Sequence, residues 1–93
     1  MIVSLHAISR WRERADDSSD DDAIIGRITH ALLHSRPVRL RSRKERISKM
    51  LKHGNATTYH QSGQHVFVLT GSTVVSVYLY NRDRWQAAPP VQL

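Results

Sequence analysis

The chain has no cysteine among its 93 residues, which removes a disulfide scaffold, a thiolate zinc finger, an iron–sulfur cluster and a cysteine nucleophile together. No apolar run approaches the ~20 residues that span a bilayer, and no basic-then-apolar leader opens the chain, so the expected location is the cytoplasm, away from membranes. Aromatic residues are 6%, which argues against a platform on which single strands stack. There is no Gly-rich phosphate loop and no nucleophile elbow. The length leaves room for one domain and one site, 1–93, and excludes a dinucleotide-binding domain joined to a substrate domain. No cofactor is expected.

What the chain does have is positive charge, a formal +6 with 14 Lys and Arg against 8 acids. Asp16, Asp17, Asp20, Asp21 and Asp22 hold five of those acids in one short run with Ser18 and Ser19. Residues 36–52 hold eight bases (Arg36, Arg39, Arg41, Arg43, Lys44, Arg46, Lys49 and Lys52) against Glu45 alone, a net +7. Such a segment reads either as a solvated helix and loop or as the footprint of an anionic partner, nucleic acid first and an acidic protein second. If five of these bases met phosphates, the salt slope would be roughly −3.5 to −4.5.

The pattern predicts a helix over 6–15 with Ser4 in capping position, and a second over 22–34 whose Ile24, Ile25, Ile28, Ala31 and Leu32 form a buried stripe. The Asp/Ser run between them ends the first helix and caps the second. Pro37 closes the second helix. A basic third helix follows over 42–52, with Ile47, Met50 and Leu51 as a thin apolar edge and Gly54 as its stop. Ser62-Gly63 and Gly71-Ser72 then separate three β runs, 55–61, 64–70 and 73–80, an antiparallel meander. The helical part is thus 6–53 and the sheet 55–80. The tail 81–93, with Pro89 and Pro90, is expected to fray.

Two-residue loops at both turns would pair Gln61 with Gln64 and Thr70 with Thr73. One face then carries Tyr59, Val66, Val77, Thr57, Val68 and Val75 toward the helices. The other aligns His60, His65 and Tyr78. Two imidazoles and a phenol are an acid, a base and a hydrogen-bond donor, the equipment of metal-independent RNA cleavage when cations stand beside them. The same row is also what an ordinary solvated sheet face carries, and a one-residue slip would scatter it.

On the first helix His6, Arg10 and Arg14 recur every four residues and share one side. This basic ridge could hold phosphate, with His6 a further candidate for catalysis, or pair with Glu13 and the acidic run. His30 and His34 have the spacing of a helical metal pair but lack a third ligand, and no metal is expected.

The segment His6-Ala7-Ile8-Ser9-Arg10-Trp11-Arg12-Glu13-Arg14 resembles the His-Ala-x-x-Arg-x-x-x-Arg opening of small bacterial and phage proteins. These run helix, helix, then a three-stranded meander ending in a Val-rich strand such as Val74 to Tyr80, and are grouped with the RelE-like toxins of the barnase/colicin/RelE ribonuclease fold. The likeness covers roughly residues 3–80. It implies an α+β fold with two to three helices on one face of the meander and the RNA site on the other. It also implies metal-independent endoribonuclease activity and an antitoxin as partner. Of its positions, His6, Arg10 and Arg14 match the motif. The acidic insert after Arg14 and the very basic third segment depart from it.

The expectation is therefore a small basic RNA-engaging protein of a toxin or phage system. Its catalytic candidates are His60, His65, Tyr78 and His6. Its phosphate contacts are Arg10, Arg14, Arg36, Arg39, Arg41, Arg43, Lys44, Arg46, Lys49 and Lys52. Two rivals stand beside it: a non-catalytic DNA- or RNA-binding module, and a phage or mobile-element protein that inhibits a host protein. Exposed sheet edges leave a homodimer open.

Overall fold

Each helix begins where a short polar side chain satisfies a free backbone N–H. In the computed structural model, which describes residues 1–54 and 56–89, the Ser4 hydroxyl accepts from Ala7 N and starts α1 (Leu5–Ala15). The Asp20 carboxylate accepts from Ala23 N and starts α2 (Asp21–Leu33). The Ser42 hydroxyl accepts from Glu45 N and starts α3 (Arg43–His53). The acidic run acts as expected at the junction. Asp16 takes the left-handed conformation that closes α1, at φ 50°, while Asp21 and Asp22 sit in the first turn of α2, at the positive end of its dipole.

The strands are β1 (Ile2–Val3), β2 (Arg36–Leu40), β3 (Thr57–Ser62), β4 (His65–Thr70), β5 (Thr73–Leu79) and β6 (Trp85–Ala87). They form one sheet in the order β1-β5-β4-β3-β2-β6, parallel only between β1 and β5. The class is α+β, and the expected meander is its middle. The sheet is twice as wide as expected because three short strands join it. Within the basic segment Arg36–Leu40 is a strand, since Val38 and Leu40 alternate onto one face and are buried there. The tail is not frayed over 85–87: Trp85 is 1% exposed and β6 pairs with β2. The strand start expected at residue 55 and the tail residues 90–93 lie outside the described residues.

Both sheet faces carry helices, which corrects the expectation of helices on one side. Under α1 and α2, Ala7, Ile8, Ile24 and Ile28 pack on Phe67, Val74 and Val77. On the opposite face Val38, Leu40, Val66 and Trp85 form a second, smaller core with Tyr59, Tyr78 and Tyr80 against it. α3 lies over this second face, with its Lys49 ammonium 5.7 Å from the Tyr78 ring centroid.

Two details of the β3–β5 register matter. Gly63 and Gly71, at φ 58° and 60°, both take the first loop position, where glycine relieves the left-handed conformation of a II′-like turn. The first loop is therefore Gly63-Gln64, and Ser62 pairs with His65 and Gln61 with Val66, a two-residue shift from the expected pairing of Gln61 with Gln64. That shift preserves which residues share a face. The second detail does not. Val68 pairs with Ser76 and Leu69 with Val74, so Val75 is an extra residue, a bulge that turns the rest of β5 over. Val66 then faces Tyr78, and Phe67 faces Val77.

Candidate nucleic-acid interface

α1 turns its apolar side, Ala7, Ile8 and Trp11, into the core, which leaves His6, Arg10 and Arg14 along one flank of the helix. β1 covers β5 only at Thr73 and Val74, so the carbonyls further along β5 form an open edge. Arg14 fills that gap. Its Nε donates to the Val77 carbonyl at 2.8 Å, and the guanidinium stands 5.7 Å from the Tyr78 ring centroid. The same contact blunts a strand edge and brings a charge from α1 round to the face under α3. Arg10 instead pairs with Glu13 at 2.8 Å.

Tyr78 is the meeting point. Arg14 of α1, Lys49 of α3 and Arg84 from the turn before β6 each lie 5.6–5.7 Å from its ring centroid. Trp85 and Tyr59 support the ring from the second core, with Trp85 6.3 Å away and Tyr59 5.1 Å beyond it. Beside Tyr78 a cleft of about 270 Å³ is lined by His6, Lys49, Lys52, Val68, Thr70, Val75, Ser76 and Tyr78. A ring quadrupole attracts each cation by about 0.5–1 kcal/mol at exposed sites, but the three cations repel one another. Among the described residues, Glu45 is the one carboxylate ion-paired to any of them, 3.2 Å from Arg84 Nε. An anion beside Tyr78 would relieve the remaining repulsion, and of the three cations Lys49 lines the cleft itself. The imidazole of His6, the phenol of Tyr78 and the hydroxyl of Ser76 line it and can offer hydrogen bonds there, while the Thr70 hydroxyl pairs with Thr57.

The expected row His60–His65–Tyr78 is not assembled. The bulge at Val75 puts Tyr78 on the α3 face. His60 and His65 stay with Phe67 on the α1/α2 face, since His60 pairs with Phe67 and His65 lies two residues from it. His65 packs against Trp11 with ring centroids 4.8 Å apart, and its Nε2 is buried without a hydrogen-bond partner. Burial pushes its imidazole below the ordinary value, and the Arg14 carbonyl opposes the shift. Burial likewise lowers His60, whose Nε2 lies 3.1 Å from Thr58 Oγ1. These two histidines read as neutral structural groups.

Trp11 ties this packing to the acidic run. Its Nε1 donates to Asp17 at 2.9 Å, and Asp17 also receives Arg27 and the Ser19 backbone N–H. The Trp11 hydrogen bond first, and then those from Ser19, hold the Asp17 carboxyl well below the usual carboxylate range.

The basic segment divides in two. Arg41 Nε donates to the Arg82 carbonyl at 2.6 Å, and Arg46 Nη1 to the Leu40 and Arg41 carbonyls at 2.7 and 2.9 Å. Arg36 meets Gln61 at 2.7 Å, and Arg39 Nε lies 2.8 Å from the Gln86 side-chain amide, whose oxygen accepts once the amide is turned toward the guanidinium. These four arginines tie strands and loops together. Arg43, Lys44 and Lys52 are exposed, and Lys49 is half-buried over Tyr78. Arg84 was missed because it fell in a stretch read as frayed. The alternation Arg82-Asp83-Arg84-Trp85, charge running into a large aromatic, was the available signal.

His30 and His34 do meet, with ring centroids 5.0 Å apart. Among the described residues no group of three His, Asp or Glu could hold a metal, and no helix is long and apolar enough to cross a membrane. No protein-family model, curated protein or solved structure matches this chain.

Proposed function

We propose that the protein binds RNA through the Tyr78 cleft and cleaves it without a metal, in the manner expected of a RelE-like endoribonuclease. The observation that carries the reading is the convergence of Arg14, Lys49 and Arg84, from three separate elements, on one phenol ring. Cations brought together with one ion-paired carboxylate among them suit a phosphate, and the reach of Lys52 and His6 along the cleft suits a strand rather than a lone ion.

The chemistry follows from the groups present. The RNA 2′-OH attacks the adjacent phosphorus as a base takes its proton. The bond from phosphorus to the 5′ oxygen then breaks as an acid protonates that oxygen, leaving a cyclic phosphate and a free 5′-OH. Tyr78 and His6 are the acid–base candidates that share the cleft. Arg14, Lys49 and Arg84 steady the charge on the phosphorane. His60 and His65 have no part in this reading.

A labelled RNA oligonucleotide incubated with EDTA tests it. The native chain is expected to yield cyclic-phosphate products. Tyr78→Phe is expected to bind RNA as tightly and to cleave at least about 100-fold more slowly. Binding without cleavage by the native chain would leave the non-catalytic binder. No binding would sink both.

A further inference from the structure

We propose that the groove between α3 and the sheet docks an acidic amphipathic segment of a partner protein. The groove has a volume of about 360 Å³. Val38, Leu40, Tyr59 and Met50 give it an apolar lining, Arg46 and Lys49 stand over it, and none of its lining residues is an acid. It is distinct from the Tyr78 cleft, although Lys49 borders both.

The helix above the groove is short of apolar cover. No described residue of α3 belongs to either buried core. Its Ile47, Met50 and Leu51 are 44%, 48% and 81% exposed, and their i, i+3, i+4 spacing lines them up as one stripe. An 11-residue helix is marginal alone. This one is anchored by polar contacts: its Ser42 cap, the Arg46 bonds to Leu40 and Arg41, and the Glu45–Arg84 pair. A stripe of this kind beside an apolar groove matches the face of a second amphipathic helix laid along it.

Charge selects the occupant. Residues 36–52 carry +7, so a second copy would bring like charge to like. Five of its own eight acids are also engaged: Glu13, Asp17, Asp21 and Glu45 in ion pairs, and Asp20 at a helix cap. RNA has the charge but no apolar side to fill the floor. An acidic segment with a leucine-rich face supplies both.

The test uses a fluorescent helical peptide of about 14 residues, with Leu at i, i+3, i+4 and i+7 and Glu on the other face. A scramble of the same composition and a Lys-for-Glu analogue are the controls, and anisotropy is read on the full chain without RNA. The acidic amphipathic peptide is expected to bind at least about tenfold tighter than either control. The double variant Ile47→Ser/Met50→Ser, with both positions already exposed and folding checked by circular dichroism, is expected to weaken it at least about tenfold. Equal binding of the scramble would overturn the proposal, as would a double variant that binds normally. An RNA oligonucleotide loosened by the double variant, with no peptide bound, would overturn it in favour of nucleic acid. Because no RNA enters the peptide arm, docking and the RNA reading fail separately.

Discussion

Under α1 and α2 the sheet is sealed. Phe67, Val74 and Val77 are fully buried beneath Ile24 and Ile28, and the residues between the two helices are spent on caps and ion pairs. Under α3 the same sheet carries a smaller core, two clefts and a helix whose apolar residues face solvent. Both helical layers are capped in the same way at their N-termini, so local helix chemistry does not separate them. What separates them is where the apolar stripe points. Ile24 and Ile28 of α2 point at the sheet, whereas Ile47, Met50 and Leu51 of α3 stay exposed and its cations reach Tyr78. One face holds the protein together, and the other is free to hold something else.

The comparison breaks most readily on stability. Phe67→Ala on the sealed face should cost about 3–5 kcal/mol, the usual loss for a buried aromatic. Leu51→Ala on the open face should cost under about 0.5 kcal/mol, because the side chain is 81% exposed. Urea unfolding of both variants checks this. Similar costs would mean that α3 is part of the core after all.

RNA binding sharpens it. Arg14, Lys49, Lys52 and Arg84 gather about Tyr78 and its cleft, and four phosphate contacts to a single strand give a log–log salt slope of about −3. Arg14→Ala or Lys49→Ala should lower affinity about tenfold and make the slope shallower by about 0.7. Arg41→Ala and Arg46→Ala, whose guanidinium groups are bound to backbone carbonyls, should instead cost about 1–3 kcal/mol of stability and leave the slope alone. If all four variants change the slope equally, the segment binds as an undivided basic surface and the cleft has no privilege.

Much of this was legible before the structure. Ser4 and the Asp/Ser run mark their helices because a side-chain oxygen must meet the free N–H groups, and the stripe from Ile24 to Leu32 has one buried reading. Val38 and Leu40 alternate at strand spacing, but the arginines around them and Pro37 before them hid the strand. Trp85 was hidden by its neighbours too, for a three-residue strand has no periodicity to read. The catalytic row failed for a sharper reason. A single unpaired residue, Val75, reverses every position after it, and nothing local in Val74-Val75-Ser76 announces a bulge. Tyr78 lies beside the cleft on the α3 face, while its two expected partners went to the other face. His6, Arg10 and Arg14 do share one side of α1, because helical spacing is robust to such slips, and there Arg10 pairs with Glu13 while Arg14 reaches β5.

The smallest effect separates the faces by pH. His65 lies among the packed groups of the sealed face, against Trp11 and Phe67, and burial holds its imidazole below the ordinary 6.5. The unfolded chain therefore takes up a proton that the folded chain resists, so the unfolded state binds more protons as pH falls through 6.5 and stability falls with it. His60 adds in the same direction, also by burial. Asp17 acts lower down: its carboxyl is held below the usual range, so the stability it gives is present above the ordinary carboxylate value near 3.8 and lost beneath it. Melting temperature should fall from pH 7.5 to pH 5, and His65→Gln should flatten that fall without changing the salt slope of RNA binding. A His65→Gln variant that melts with the native pH dependence would show that His65 gains its proton while still packed on Trp11. The sealed face would then be no more closed to a proton than the face that carries Tyr78.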